Sequence, residues 1–192
     1  MKPGRRPSKS GSASRPTRRG ATASTPALFV YGSLMHKKYW RQALGARDAT
    51  AVRLTAARLR GWRRWWNGVR RSYGGAVLNM KRAEGHEVWG ALVEGLTAEA
   101  WARLDRQERS HLPRQRVLVV TPRGRRVWAE CYRQRVRGPE RKPARAYVSA
   151  VRAGAKRLGA AATRNVEADV KRLMESLASW SPTGKRRRTS RS

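Results

Sequence analysis

The chain has 192 residues, with 45 Lys and Arg against 12 Asp and Glu, a formal net charge of +33 and one cysteine. That length fits one medium domain with a real core, Cys131 alone excludes an internal disulfide and fits a reducing compartment, and no apolar run approaches the roughly 18 residues that a spanning helix needs. The charge attracts phosphate polymers and anionic membranes, although an Arg-rich solvated surface has the same composition.

Residues 1–26 hold seven Lys or Arg and no acid among Ser, Pro, Gly, Thr and Ala, so they cannot bury enough surface to fold and are expected to be disordered. They lack the apolar core of a secretory leader; their make-up suits an organelle transit peptide or a plain tail, and a cytoplasmic protein is the expectation unless the former holds. Residues 181–192 add five basic residues and no acid, and setting both tails aside leaves +21 on residues 27–180. The tails are expected to bind nucleic acid weakly and without sequence preference. No zinc-ligand spacing, RNA-recognition signature or basic-region heptad accompanies them.

The body opens with the apolar run Ala27-Leu28-Phe29-Val30-Tyr31, which stops at Gly32-Ser33 before a helix-compatible stretch from His36 to Leu44. This reads as strand, tight turn and helix, with Gly45 as C-cap. Amides at such a turn can hold a carboxylate or an oxyanion, and an ordinary strand-to-helix connection has the same signature. Val52–Leu59 reads as a strand. In Gly61–Arg71, Trp62, Trp65 and Trp66 alternate with arginines. Such a stretch can stack bases and grip phosphates, but the favoured reading has the tryptophans roofing a barrel while the arginines reach water.

Gly74–Met80 and Glu87–Val93 read as two strands joined by a turn at Lys81–Gly85, an expected hairpin. Gly90 inside the second would let a chain segment or substrate come close. Thr97-Ala98-Glu99 starts a helix running to about Gln107 or Glu108. Trp101, Leu104 and Glu108 share a face, so Glu108 is carried toward the apolar side at the electronegative helix end. Burial and the dipole both push such a carboxyl up, which suits proton transfer near neutral pH; a carboxylate paired with one of the many arginines fits the same pattern. Two further strands, Arg116–Thr121 and Arg126–Gln134, meet at the Pro122-Arg123-Gly124 turn. The second carries Glu130, another acid for which structural pairing is the preferred reading, and Cys131, read as a packed core thiol. With an apolar stripe of Val166, Val170, Leu173 and Leu177, a helix is expected over Val166–Leu177. The expected fold is mixed α/β (α+β): a small, mostly antiparallel β-barrel with flanking helices over residues 27–160, and residues 161–180 as an amphipathic helix packed on it.

Four of these segments, in this order, resemble the γ-glutamylcyclotransferase-like superfamily: Tyr31-Gly32-Ser33-Leu34, the Gly74-Gly75 strand followed by Val88-Trp89-Gly90, Leu104-Asp105-Arg106-Gln107-Glu108, and Pro143 ahead of Tyr147 with Gly154-Ala155. The resemblance implies an enzyme that closes a γ-glutamyl group to 5-oxoproline and releases an amino acid or amine. It implies Glu108 as general acid/base, substrate binding by Tyr31, Gly32, Ser33, Leu34 and Tyr147, and neither metal nor organic cofactor. The sequence departs from the pattern at Arg109, where members often have Gly, and in Gly159–Thr163, which lacks a late substrate-covering tyrosine. The glutathione-acting branch shares the opening motif, and a non-catalytic, nucleic-acid-associated protein could keep the fold as a scaffold.

Overall fold

A computed structural model describes residues 25–70, 73–108, 114–135 and 138–179, with only the backbone of residues 46 and 47. The expectations for the two tails fall almost wholly outside these residues. Among the described residues, five strands and five α-helices follow one another as β1 (Ala27–Val30), α1 (Lys38–Leu44), α2 (Ala46–Ala51), β2 (Arg53–Arg70), β3 (Gly75–Glu94), α3 (Ala98–Gln107), β4 (Gln115–Val120), β5 (Arg126–Cys131), α4 (Arg145–Leu158) and α5 (Ala160–Ser179). The strands close a barrel in the order β1-β3-β2-β4-β5, and the last pairing, β5 with β1, is parallel while the others are antiparallel. The mixed α+β barrel with helices outside is the architecture expected from the sequence.

β1 sits between β3 and β5 with all four residues buried, which is why its sequence is apolar on both faces. Gly90 admits it: a Cβ there would lie 2.3 Å from the Val30 carbonyl oxygen and 2.8 Å from the Phe29 ring. The close approach that a glycine in mid-strand signals is thus made by a chain segment.

The expected hairpin over residues 74–93 is not formed. Both of its halves belong to one strand, β3, and both pair with β2, which runs on through the Trp/Arg stretch to Arg70. At the expected turn the chain only bulges outward: Arg60 faces Glu87 while Trp62 faces Arg82. The true reversal lies between β2 and β3. The physical reason is that Trp62, Arg64 and Trp66 point inward in strand alternation, so a guanidinium takes an interior position that composition assigns to water. Trp62 and Trp66 are buried as expected, but Arg64 does not reach water at all. Its Nε donates to the Tyr31 carbonyl at 3.2 Å, and Nη1 donates to Asn165 Oδ1 at 2.6 Å and Asp169 Oδ2 at 2.9 Å. Its Nη2 donates to the Trp89 carbonyl. Burial pulls this guanidinium down and the Asp169 carboxylate opposes that pull. One side chain therefore joins the end of β1, the middle of β3 and α5.

α3 starts as its sequence signals: Thr97 Oγ1 accepts the Ala100 N–H at 3.1 Å, and Trp101 and Leu104 are buried. α5 buries Val166, Val170 and Leu173, and Arg172 is paired to Glu140 at 2.9 Å. Cys131 is buried on β5, the packed core thiol expected, and burial pushes its thiol up to about 12.

Candidate active site

At one end of the barrel the chain leaves β1 through Tyr31 and Gly32 and enters a single 3-10 turn, Ser33–Met35. The Met35 N–H donates to the Gly32 carbonyl at 3.0 Å, and the His36 N–H to the Ser33 carbonyl at 3.0 Å. The first amides of such a turn have no acceptor within it. The residues of the turn line a pocket of about 80 Å3. Tyr31, Gly32, Ser33, Leu34, Glu108 and Tyr147, drawn from three separate stretches of sequence, all line this pocket. Glu130 does not line it: the residue is half-buried on the face of β5 opposite the buried Ala129 and Cys131.

Each residue of Leu104-Asp105-Arg106-Gln107-Glu108 with a visible task meets a different neighbour. Leu104 is wholly buried in the core. Asp105 Oδ1 accepts the Tyr132 hydroxyl at 2.6 Å and lies 3.2 Å from Arg114 Nε, which ties the end of α3 to the end of β5. Glu108 caps the helix, its N–H donating to the Leu104 carbonyl at 2.8 Å, and the residue lines the pocket with 7% of it exposed. There Arg70 Nη1 lies 3.3 Å from Glu108 Oε1. The two readings of Glu108, pocket acid and arginine-paired carboxylate, are therefore both present in one place. The cation expected beside the site, Arg109, lies outside the described residues; the one described there is Arg70, from the far end of β2.

The tyrosines form the rest of the site. Tyr147, on α4, is buried and its hydroxyl accepts the Leu78 N–H at 3.2 Å. Tyr31 donates to the Tyr132 carbonyl at 3.0 Å. Tyr73 donates to Ser33 Oγ at 3.3 Å and sets its ring edge-on to Tyr147 with centroids 4.7 Å apart. Burial is the first cause that raises the phenols of Tyr31, Tyr132 and Tyr147, so all three stay neutral donors. A second recess of about 310 Å3 adjoins the pocket, sharing Ser33, Leu34, Arg70 and Tyr73 and adding Tyr39, Gln42 and Gln107. All five tyrosines of the chain thus lie on the pocket or its neighbour.

Sequence reasoning missed Arg70, Tyr73 and Tyr132. The signals were there in weak form: an aromatic beside Gly74-Gly75, and a tyrosine directly after an apolar strand. Tyr73 lines both the pocket and the adjoining recess, while Gly159–Thr163 carries no tyrosine. No group of three or more His, Cys, Asp or Glu able to hold a metal ion occurs among the described residues. No helix among them is long and apolar enough to cross a membrane.

Gly32 is a second place where a side chain has no room. A Cβ there would meet the Tyr147 hydroxyl oxygen at 2.8 Å. Tyr147 cannot swing freely, because Tyr73 and Trp66 both pack edge-on against it. Gly32→Ala is expected to displace the phenol from the Leu78 N–H, to cost about 1–3 kcal/mol in a thermal melt as overpacking does, and to lower any turnover at this pocket by about two- to tenfold, since loss of one placed hydrogen bond is worth that much. Parent-like values of both would show that the close approach does not matter.

Residues 28–149 match the family model described as gamma-glutamyl cyclotransferase, AIG2-like. A solved structure titled gamma-glutamyl cyclotransferase is similar, with TM-score 0.61 and 18% identity, covering 86% of this chain and 91% of that one. An uncharacterised protein of Homo sapiens gives TM-score 0.62 at 18% identity, covering 86% and 93%. YkqA of Bacillus subtilis gives 0.65 at 20% identity over 79% of this chain and 54% of that one. At such identities the likeness is one of fold. No curated protein matches the sequence. Since the family model spans well over half of the chain, from β1 to the first turns of α4, the chain belongs to the gamma-glutamyl cyclotransferase, AIG2-like family.

Proposed function

We infer that the protein cyclises a γ-glutamyl group to 5-oxoproline with release of an amine, and that Glu108 is its general acid/base. The observation that carries this reading is one carboxylate, Glu108, held in the same small pocket as the Tyr31–Leu34 turn and Tyr147. The substrate α-amine attacks its own γ-carbonyl carbon; a C–N bond forms, closing the five-membered lactam, and the C–N bond to the leaving amine breaks. Glu108 takes a proton from the α-ammonium and gives it to the departing nitrogen, then passes on in the same way the second proton that the attacking nitrogen sheds on becoming the lactam N–H, so the amine leaves as an ammonium and the carboxylate ends as it began. The amides of the turn hold the oxygen on which negative charge grows. Tyr147 and Tyr73 keep the substrate folded, which favours the cyclic path by proximity. Arg70, whose Nη1 lies 3.3 Å from Glu108 Oε1, serves the substrate's carboxylate. The leaving group occupies the adjoining recess, where Tyr39, Gln42 and Gln107 offer hydrogen bonds without charge. The chemistry needs neither metal nor organic cofactor.

The test is 5-oxoproline release from a panel of γ-glutamyl dipeptides and γ-glutamyl amines, with glutathione beside them. Tyr39, Gln42 and Gln107, which the recess adds to the shared Arg70, lead to the expectation that a γ-glutamyl compound with a polar leaving group is turned over fastest. Glutathione alone being consumed would move the protein to the glutathione-acting branch. No release from any member would leave the fold as a scaffold and sink the enzymatic reading.

A further inference from the structure

A recess of about 780 Å3 lies away from the pocket, where the barrel seam opens. β2 and β4 are partners at Arg58 and Val120. Beyond that point β2 bulges with β3, β4 runs back along β5, and a groove is left between Leu59–Trp62 on one side and Arg116–Val120 on the other. Four arginines line it: Arg60, Arg82, Arg116 and Arg126. All four are exposed, no acidic side chain lines the groove, and none of the four is ion-paired among the described residues. Elsewhere on the surface arginines do find carboxylates, as Arg58 does with Glu87, Arg125 with Glu94 and Arg152 with Glu167. Four guanidinium groups with no carboxylate partner among the described residues repel each other around one recess and concentrate positive potential there.

The groove also has an aromatic platform. On the outward face of the β4–β5 pair, Leu118 stands opposite Trp128, with Arg116 opposite Glu130 at one end and Val120 opposite Arg126 at the other. Trp128 is 53% exposed, one of few large apolar side chains left so open among the described residues. The Arg116 guanidinium carbon lies 4.9 Å from its ring centroid, and Arg82 lies 4.3 Å from the ring of the buried Trp62. A bare phosphate needs the guanidinium groups and has no use for an open indole. A duplex hides its base faces. A strand with unstacked bases uses both features, bases on the indole and phosphates on the arginines.

We propose that this groove binds single-stranded nucleic acid, with a base stacked on Trp128 and backbone phosphates held by Arg60, Arg82, Arg116 and Arg126. The site is separate from the Glu108 pocket and does not depend on what that pocket does.

The experiment uses the full chain and a fluorescein-labelled 12-nucleotide oligouridylate, followed by anisotropy over a salt series. Trp128→Ala is expected to weaken binding about 5- to 100-fold, the weight of one lost base stack. Arg116→Gln with Arg126→Gln is expected to reduce the slope of log affinity against log salt by roughly 1.4, two phosphate contacts on a single strand. Both sites are exposed, so melts and 5-oxoproline release stay at parent values; Trp128→Phe, which keeps a stacking face, recovers most of the affinity. Replacing the five basic residues of 185–191 with Gln is expected to weaken all variants by one common factor. Parent-like affinity in Trp128→Ala overturns the proposal and assigns binding to the tails. So does equal competition by a duplex of the same length or by oligoglutamate, which would make the groove a general anion site.

Discussion

Glu108→Gln is expected to give a folded protein whose turnover of a γ-glutamyl substrate is lower by about two to four orders of magnitude, the usual weight of general acid–base catalysis. The substitution keeps the volume of the side chain and an acceptor for Arg70 Nη1, 3.3 Å away, but removes the proton-transfer group. Arg70 is 27% exposed in its side chain, so losing the opposing charge leaves it partly hydrated and costs little stability. KM is expected to change less than kcat, because the turn amides, Tyr73 and Tyr147 are untouched. Glu130→Gln is the control. Glu130 sits half-buried on the outward face of β5 and away from the pocket, so its variant is expected to turn over at the parent rate. Both rates are read as 5-oxoproline release beside thermal melts. Near-parent turnover in Glu108→Gln would remove it from the mechanism; a loss in Glu130→Gln with an unchanged melt would place the acid on the strand instead.

What could be read from the sequence was local. The Tyr31–Leu34 turn, the Thr97 cap and the face shared by Trp101, Leu104 and Glu108 follow from neighbours within a few residues, and each stands where periodicity puts it. What could not be read depended on register between distant strands. Arg70 reaches Glu108, and Tyr73 reaches Ser33, because β2 continues for 18 residues before it reverses. Its continuation was hidden by Arg64: an arginine between tryptophans looks like a wet loop, and its alternation with Arg63 and Trp65 makes sense only once Asn165 and Asp169, a hundred residues later, receive the guanidinium. Asp105 was passed over for a similar reason. Its role is to hold Tyr132, and nothing in the helix periodicity points to β5.

Arg64→Met is expected to lower stability by about 3–5 kcal/mol, the loss that follows when one partner of a buried ion pair is removed. For a domain of this size that is a fall in Tm of about 6–20 °C. The cost is not the lost attraction alone. Asp169, 14% exposed in its side chain, is left charged with its buried partner gone, and the carbonyls of Tyr31 and Trp89 lose their donor. Asn165 keeps two bonds, accepting from the Trp89 N–H at 2.9 Å and donating to the Glu87 carbonyl at 3.0 Å, so α5 stays attached to β3. Adding Asp169→Leu to Arg64→Met removes the stranded charge and is expected to recover part of the loss, because an apolar replacement of a whole buried pair comes near to break-even. Recovery stays incomplete, since the two carbonyls remain unmet. Activity is expected to follow a different course. The Tyr31 carbonyl is the last point at which β1 is held before Gly32, so releasing it loosens the turn that faces Glu108, and both variants are expected to lose turnover even well below their melting temperatures. A melt of Arg64→Met equal to the parent's would sink the stability claim, and a double variant that regains full turnover along with its stability would show that Arg64 does not position the turn.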